Sequence, residues 1–253
     1  MATTIDFLVE HANDVMKLHD YPDYGPMGLQ FRGRSEVKRI ASSVSLSTEI
    51  IEKAQDMRID AILVHHGLFW NNEPRDLEML RGRLELLRNY GISVLAYHLA
   101  LDRHSLFGNN SLAIRKLGLG QLRPWEDVGY SGIYKTPMSH DKFFQKALEK
   151  FTEYQPPVPE PIDWLTYGGK VSKVALITGG APHYIVQAAK DGFDTFVTGE
   201  TAEPTIYLAQ DLKMNFLSLG HYRTETLGVR KFAKHLASAF YLDTTFIPGS
   251  SSR

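Results

Sequence analysis

The chain has 253 residues, of which 43% are hydrophobic and 23% charged, and its formal net charge is −1. This composition is typical of a globular protein with one large or two modest domains, and the near-zero charge excludes a bulk basic field for nucleic acid or an anionic membrane. The absence of cysteine excludes disulfides, cysteine-ligated zinc and a thiol nucleophile. No long apolar run and no signal-peptide pattern is present, so we expect no membrane association and, by default, a cytoplasmic protein.

The first hundred residues predict a helix followed by alternating strands and helices. Apolar residues at helical spacing predict a helix over 5–19, and a loop rich in proline and glycine follows in YPDYGPMGLQF. The same reasoning predicts strands at 37–44, 59–64 and 92–97, and helices at 47–57, capped by Ser47 or Ser45, and at 76–90. This order predicts a mostly parallel sheet with helices on both faces.

The segment 120–170 has a different pattern. GYSGIYKTP predicts a strand, HDKFFQKALEKF predicts an amphipathic helix, and QPPVPEP predicts an extended stretch. We therefore predict an inter-lobe segment at 120–170, between a first α/β lobe at 1–119 and a second at 171–253.

The second lobe repeats the pattern of the first. The sequence from Val37 aligns without a gap with the sequence from Val171, at a constant offset of 134 residues. Asp60 falls on Asp194, and His66 falls on Glu200. Farther on, ISVLAYH aligns with MNFLSLGH, which pairs His98 with His221 and Asp102 with Glu225. A generic α/β rhythm would explain part of this match, but we favour an internal duplication that gives two similar three-layer α/β/α lobes facing each other.

Polar side chains collect where the predicted strands end. His65 and His66 directly follow the strand predicted at 59–64 in DAILVHHG, Asp102 follows SVLAYH, and His221 follows NFLSLG. In an open α/β sheet, ligands bind beyond the carboxyl ends of the strands. His221 and Glu225 are four residues apart and would share one helical face, and the adjacent histidines could diverge onto two neighbouring metal ions. Imidazole and carboxylate donors suit iron, zinc or manganese.

Each of these motifs has a plainer interpretation when taken alone. A histidine pair is more often structural than ligating, HYRTE fits a helix start with an acid near its positive end, and LALD fits a turn. TGGAP, at 178–182, could offer backbone N–H groups to a phosphate, but a strand-to-helix turn is the better interpretation. The occurrence of the other three together at several strand ends favours a metal site.

A run of motifs in order resembles one protein family. YGPMGLQ, VHHGLFW, YHLALDRHSLFGNN, ITGGAP, DTFVTGE and GHYRTE are similar to the successive motifs of the dinuclear-metal-centre hexameric proteins, whose bacterial members are commonly named GTP cyclohydrolase I type 2 homologues. The match extends from about residue 20 to about residue 230. The resemblance implies a pair of metal ions between two α/β/α lobes and a toroidal homohexamer.

The resemblance also implies roles for particular residues. It places the metal ligands at His65, His66, Asp102, His221 and Glu225, with Glu225 as the bridging carboxylate. The first motif has Met27 where the family usually has the sequence Pro-Asn-Gly. This difference would affect the rim of the pocket and does not change a ligand.

Other residues near these motifs have less defined roles. His98 and Glu200 are predicted to be catalytic groups or to orient the ligands and water. The aromatic residues beside the ligands could line a substrate pocket, although core packing is the better interpretation for at least one of them; they are Phe69, Trp70 and Tyr222.

Two metal ions would suit hydrolysis of a small nucleotide-like substrate, and the family name suggests GTP. No Gly-x-x-x-x-Gly-Lys-Ser/Thr loop is present, so nucleotide hydrolysis by that route is not expected. The alternative is a non-catalytic metal-binding or interaction scaffold in the form of a hexameric ring. A ring around nucleic acid is disfavoured by the net charge of −1.

Overall fold

The computed structural model describes residues 2–70, 78–157 and 159–249. Its strands are β1 (Thr3–Thr4), β2 (Gly28–Phe31), β3 (Glu36–Val37), β4 (Arg39–Ser45), β5 (Ala61–His66), β6 (Ser93–Ala96), β7 (Gly120–Trp125), β8 (Gly129–Met138), β9 (Asp163–Thr166), β10 (Val171–Leu176), β11 (Thr195–Thr198), β12 (Asn215–Ser218) and β13 (Asp243–Phe246). Its α-helices are α1 (Ile5–Met16), α2 (Thr48–Asp56), α3 (Glu78–Tyr90), α4 (Leu99–Arg103), α5 (Asn109–Lys116), α6 (His140–Phe151), α7 (Ile185–Lys190), α8 (Glu203–Asp211) and α9 (His221–Phe240). Within these described ranges, no helix has the length and apolar character needed to cross a membrane.

The described chain divides into two compact units. The first contains residues 2–101 and 228–249, and the second contains the described part of 102–227. These bounds differ from the segments that we predicted from sequence continuity. The C-terminal strand β13 pairs with β4 in the first unit, and the segment 120–170 supplies β7, β8 and β9 to the sheet of the second unit.

The first unit contains a sheet of five described strands in the order β13-β4-β5-β6-β2. β13, β4, β5 and β6 run parallel, and β2 is antiparallel to β6. Every residue of β6 is buried, as are the inner residues of β4 and β5, which is typical of a parallel sheet with both faces covered. Apolar residues of α2 and α3 form one core with alternate residues of the central strands, such as Ile62, Val64 and Val94.

The predicted helices of the first unit are present. Helix α2 begins after Ser47, whose side-chain oxygen accepts a hydrogen bond from the backbone N–H of Ile50 at 3.2 Å. Helix α1 ends earlier than predicted because Lys17 adopts a left-handed backbone with φ 49° and caps the helix C-terminus. Helix α3 is described from Glu78, and the first two residues of the helix predicted at 76–90 lie outside the described residues.

The second unit contains a sheet of six described strands in the order β7-β8-β10-β11-β12-β9. β10, β11 and β12 are parallel, while β8 and β9 pair antiparallel with β10 and β12. Alternate strand residues face two separate cores: one contains residues of α5 and α6, and the other contains residues of α7 and α8. The second unit is therefore a three-layer α/β/α sandwich.

The two units repeat a common arrangement of strands. Each contains three parallel strands in chain order, with an antiparallel strand from the preceding sequence beside the third, so that β2 corresponds to β9. Asp60 accepts hydrogen bonds from the backbone N–H groups of Lys38 and Arg39, at 2.8 and 2.9 Å. Asp194, at the predicted offset, accepts from the corresponding N–H groups at 172 and 173. The repeat agrees with the predicted duplication.

Candidate metal-binding residues in the two units

The histidine pair belongs to a strand of the first unit. The strand was predicted to end at residue 64, but β5 continues through His65 and His66. Because side chains alternate along a strand, His65 lies on the face of Ala61 and Leu63, and His66 on the opposite face. His65 is buried and His66 is half-buried. The two imidazoles nevertheless approach each other at the end of the strand, with ring centroids 4.7 Å apart.

A third histidine joins this pair. The ring centroid of His98 lies 4.8 Å from that of His65 and 5.6 Å from that of His66. Each of the three residues offers one nitrogen, and these nitrogens lie within 4.8 Å of one another. We call His65, His66 and His98 the histidine cluster.

The hydrogen bonds of the cluster select the nitrogen that can bind a ligand. His65 Nδ1 lies 3.0 Å from the carbonyl oxygen of Tyr97, which only accepts, so Nδ1 carries the proton and Nε2 has the lone pair. His66 Nδ1 lies 2.9 Å from Ser45 Oγ. An oxygen partner on the second nitrogen is typical of metal-binding histidines, because it fixes the tautomer and the ring orientation.

Asp23 holds the third histidine, and the sequence analysis missed this residue. Its carboxylate accepts hydrogen bonds from His98 Nδ1 at 2.8 Å and from the backbone N–H groups of Leu99 and Tyr24, both at 2.7 Å. Burial raises the pKa of Asp23, but the His98 hydrogen bond and charge, with the two N–H donors, outweigh burial and hold that pKa below its usual value. The only signal in the sequence was an acid in a loop rich in proline and glycine.

The two aromatic candidates of the first unit have different surroundings. Phe69 packs against the core formed with α2 and α3. Trp70 contacts the histidine cluster, with its ring centroid 5.1 Å from that of His98 and 5.9 Å from that of His66. Trp70 is therefore placed beside the candidate ligands, and Phe69 has mainly a packing role.

In the second unit, Asp102 lies on α4 and is buried. Its Oδ1 accepts a hydrogen bond from Asn109 Nδ2 at 2.9 Å and a longer one from Thr178 Oγ1 at 3.4 Å. These donors orient the carboxylate, as the outer partners of a metal ligand do.

His221 and Glu225 occupy the start of α9, as predicted. His221 Nε2 lies 3.0 Å from Glu225 Oε1, and His221 Nδ1 lies 2.5 Å from Glu200 Oε1. Burial alone would lower the pKa of His221, but the hydrogen bonds and charges of Glu225 and then Glu200 outweigh it and raise the pKa to about 10. Glu225 is buried, whereas Glu200 is exposed. The contact with Nδ1 places Glu200 where it can orient His221.

The loop after β10 lies among these donors. Thr178 contacts Asp102, and Gly180 is close to Glu200, since a Cβ at Gly180 would lie 2.9 Å from Glu200 Oε2. Gly179 has φ +70°, and a Cβ there would clash with Glu225 Oε1. The N–H groups of Thr178, Gly179 and Ala181 donate to protein oxygens. These internal bonds favour the turn interpretation of TGGAP over a phosphate cradle.

Tyr222 is buried, which gives it a packing role at the base of α9. Its backbone N–H donates to Glu160 Oε1 at 2.8 Å. Glu160 belongs to the extended segment that follows α6, and a carboxylate at this point favours the positive end of the helix that carries His221 and Glu225.

The chemistry of the donors fits divalent transition metals. The candidate ligands are imidazoles and carboxylates, and most of them have an oxygen or amide partner that fixes their orientation. Each unit thus contributes a set of preoriented donors: three imidazoles in the first unit, and one imidazole with carboxylates in the second.

Comparison with known proteins assigns the family. The sequence profile of Duf34/NIF3 (NGG1p interacting factor 3) matches residues 3–252. The chain belongs to this family. A Duf34/NIF3 relative named GTP cyclohydrolase 1 type 2 homolog, from Yersinia pestis, is 36% identical over 236 residues, which cover 93% of this chain and 94% of that protein. The resemblance predicted from the motifs is therefore confirmed.

Solved structures share the Duf34/NIF3 fold of this chain. A protein titled ybgI, of unknown function, superposes with a TM-score of 0.90 and 30% identity, over 97% of this chain and 98% of that chain. TTHA1606 from Thermus thermophilus superposes with a TM-score of 0.87 and 30% identity, over 99% of this chain and 100% of that chain. The similarity covers both units, which confirms the α/β fold class.

Proposed function

We propose that this Duf34/NIF3 protein binds two divalent metal ions and hydrolyses a small nucleotide-like substrate. The proposed ligands are His65, His66, Asp102, His221 and Glu225, with Glu225 bridging the two ions. Iron, zinc and manganese all suit this mixture of nitrogen and oxygen donors. GTP is the first substrate to test, because relatives carry the name GTP cyclohydrolase 1 type 2 homolog.

The observation that carries the proposal is the outer partner of each histidine ligand. His65, His66 and His221 all have their Nδ1 at hydrogen-bond distance from an oxygen. A structural histidine can make one such bond by chance, but three predicted ligands with the same arrangement are typical of imidazoles held for metal binding. The buried carboxylates of Asp102 and Glu225 add the negative charge that a pair of dications needs.

The residues of the chain have separable roles in this proposal. Bound divalent ions would supply Lewis acidity and lower the pKa of bound water. Tyr97 and Glu200 keep His65 and His221 in their orientations. The ring of Trp70 offers an apolar surface beside the cluster on which a planar base can stack.

We also propose a homohexamer, which rests on the family resemblance. Light scattering coupled to size-exclusion chromatography measures its mass directly. A mass close to that of the 28.6 kDa chain would contradict this part of the proposal.

The test of function begins with metal content. Protein purified without a histidine tag or chelator is analysed for metals, and we expect about two equivalents per chain for a dinuclear centre. The same sample is incubated with GTP and with other nucleotides, and substrate loss is followed by chromatography. Protein stripped with a chelator, and stripped protein reloaded with iron, zinc or manganese, are the matched controls.

The possible outcomes separate the hypotheses. Turnover that disappears on stripping and returns on reloading supports a metal-dependent hydrolase. Two bound metals without turnover of any nucleotide would favour the non-catalytic scaffold. Metal content near zero even after loading would contradict the dinuclear site itself.

A further inference from the structure

We propose that His11 and His235 form a separate site for one divalent transition-metal ion, with Asp14 as the third protein donor. This site shares no residue with the proposed dinuclear centre and does not rest on the proposed function. Both histidines belong to the first unit, His11 on α1 and His235 in the C-terminal half of α9. They are 224 residues apart in sequence, so the tertiary fold brings them together.

The first argument is the distance between the two imidazoles. His11 Nε2 lies 3.3 Å from His235 Nε2. The ring centroids are 5.5 Å apart, so the rings turn their Nε2 edges toward each other. Zinc–nitrogen bonds are about 2.0–2.1 Å long, which places two nitrogens of a tetrahedral shell about 3.4 Å apart. The two nitrogens therefore have the spacing of two ligands of one ion.

A hydrogen bond between the two neutral rings is the plainer interpretation of the same contact. N–H donors in proteins usually lie about 2.7–3.2 Å from an oxygen acceptor, so 3.3 Å is a long separation for such a bond. The two interpretations differ in what they predict for added metal, because an ion would displace the shared proton and bind the lone pairs of both rings.

The second argument is that aromatic side chains hold both imidazoles in place. The ring of Phe240 meets the ring of His11 edge-on, with the centroids 5.3 Å apart. The ring of Phe232, which is fully buried, lies 6.2 Å from that of His235, with the two planes 13° apart. Rings that are already held lose less conformational entropy when an ion binds them, so binding costs less free energy.

The third argument is a cavity beside the pair. Its volume is about 330 Å³, and it is lined by Thr3, Phe7, Glu10, His11, Asp14 and Phe240. Two histidines supply only half of a tetrahedral shell, so further donors are needed. The cavity gives an ion a route to His11, leaves room for water ligands, and contains two carboxylates.

Asp14 is the carboxylate that is better placed to complete the site. It follows His11 by three residues on α1, and residues three apart lie on one helical face. Glu10 lines the same cavity but immediately precedes His11, and adjacent residues of a helix do not face each other. The side chain of Asp14 is exposed and can rotate toward the ion. Imidazole and carboxylate donors together suit zinc and related ions.

The experiment measures zinc binding by the full-length protein near neutral pH. Equilibrium dialysis and elemental analysis give the number of zinc ions per chain and their affinities in wild type, His11→Gln and His235→Gln. Nitrogen NMR of protein labelled at histidine shows which imidazoles bind the ion.

Two matched controls are available in the first unit. His19→Gln replaces an exposed histidine outside the pair. Glu10→Gln is the control for Asp14→Asn, because each variant removes one exposed carboxylate from α1 beside the same cavity.

We expect His11→Gln and His235→Gln each to bind about one zinc ion fewer per chain than the wild type, because each deletes a direct donor of a single-ion site. Zinc should shift the nitrogen resonances of both histidines in the wild type. Asp14→Asn should weaken binding at this site by at least about tenfold, because even an outer partner of a ligand contributes that much. Glu10→Gln should weaken it less, and His19→Gln should keep the wild-type affinity.

Several results would overturn the inference. One is an equal number of zinc ions, bound with equal affinities, in wild type, His11→Gln and His235→Gln. Another is that zinc leaves the nitrogen resonances of both histidines unmoved. Equal weakening in Asp14→Asn and Glu10→Gln would show that Asp14 acts through its charge and is not a ligand.

The test remains decisive if a histidine variant does not fold. Circular dichroism would reveal such a failure, and the decision then rests on the zinc-dependent NMR shifts of the wild type and of Asp14→Asn, whose replaced side chain is exposed. Failure of the dinuclear centre is distinguishable from failure of this site, because His65→Ala leaves His11, Asp14 and His235 intact and should still show their zinc-dependent shifts.

Discussion

The two units share a strand framework but differ in the side chains at the strand ends. Asp60 and Asp194 occupy equivalent positions and bind the backbone N–H groups at the start of β4 and β10 in the same way. At the other end, His66 of the first unit corresponds to Glu200 of the second. The two units therefore share these framework hydrogen bonds, while the equivalent strand-end position holds an imidazole in the first unit and a carboxylate in the second.

The same contrast extends to the histidine after the third parallel strand. His98 and His221 are equivalent in the repeat, and a carboxylate binds Nδ1 of each. The carboxylates come from different places: Asp23 belongs to the loop before β2, whereas Glu200 follows β11. The two units thus place a carboxylate at Nδ1 of the equivalent histidine from different parts of the chain.

The largest expected effect comes from removing one ligand in each unit. We predict that His65→Ala and Glu225→Gln each remove at least one metal ion, because each deletes a direct donor, whereas a lost outer partner weakens affinity by only about 10- to 100-fold. Elemental analysis after purification measures the loss. His183→Ala, at an exposed histidine of the second unit, is the control and should keep the wild-type metal content.

The fold of both variants should be retained, as judged by far-ultraviolet circular dichroism. Metal loss should lower the melting temperature, because ligands bound only by the folded state stabilise it by mass action. If both variants kept the full metal content, the assignment of His65 and Glu225 as ligands would be wrong, and a structural role would be the better interpretation of both residues.

Much of the framework could be predicted because it depends on local patterns. Helix α6 was predicted with its observed bounds, since its amphipathic spacing is a local signal. The extension of β5 through His65 and His66 was not predicted, because imidazoles carry no strong strand signal. The position of β13 depends on pairing with β4, about two hundred residues earlier, and no local pattern reveals such a contact.

The candidate site was also only partly predictable. The rule that ligands collect at strand ends found the histidine pair, Asp102 and His221, and the internal repeat drew attention to His98. It could not find Asp23, which reaches His98 from a loop that precedes the sheet strands. It also gave no reason for Gly179, whose role is to leave space for Glu225.

The next effect concerns the equivalent positions Ser45 and Gly179. Gly179→Ala should weaken metal binding by more than Ser45→Ala, because the new Cβ would displace the carboxylate of Glu225. The left-handed backbone, with φ +70°, also costs an alanine about 1–2 kcal/mol of folding stability. Ser45→Ala removes only the oxygen partner of His66 Nδ1, so a loss of about tenfold is expected. Metal affinities are measured by competition with a chromophoric chelator. Equal losses of metal affinity in the two variants would contradict the prediction that Gly179 is needed to leave space for Glu225.

A smaller effect is expected from the framework itself. Asp60→Ala and Asp194→Ala should each lower the free energy of unfolding by about 2 kcal/mol, since each loses charge-assisted bonds to backbone N–H groups. Asp60→Asn and Asp194→Asn keep an acceptor oxygen and should lose less. Urea unfolding of the metal-free variants measures these energies. If the two alanine variants lost very different amounts of unfolding free energy, the hydrogen bonds of Asp60 and Asp194 would not contribute equally to stability.

The smallest expected effect is on the pH dependence of stability, and it comes from a histidine whose surroundings differ from those of His221. Carboxylates raise the pKa of His221, whereas burial and then the neighbouring charge of His11 lower the pKa of His235 in the first unit. The nitrogens Nε2 of His11 and His235 are 3.3 Å apart. Because the folded-state pKa of His235 is below its unfolded value of about 6.5, the unfolded chain binds this proton more readily, so His235 reduces stability as the pH falls through 6.5 and has no such effect above it. We predict that His235→Gln makes the free energy of unfolding less sensitive to pH between about 7 and 5. The control is His183→Gln, at an exposed position in the second unit, which should leave the pH dependence of the free energy of unfolding unchanged. If His235→Gln also left this pH dependence unchanged, the lowered pKa of His235 would be contradicted.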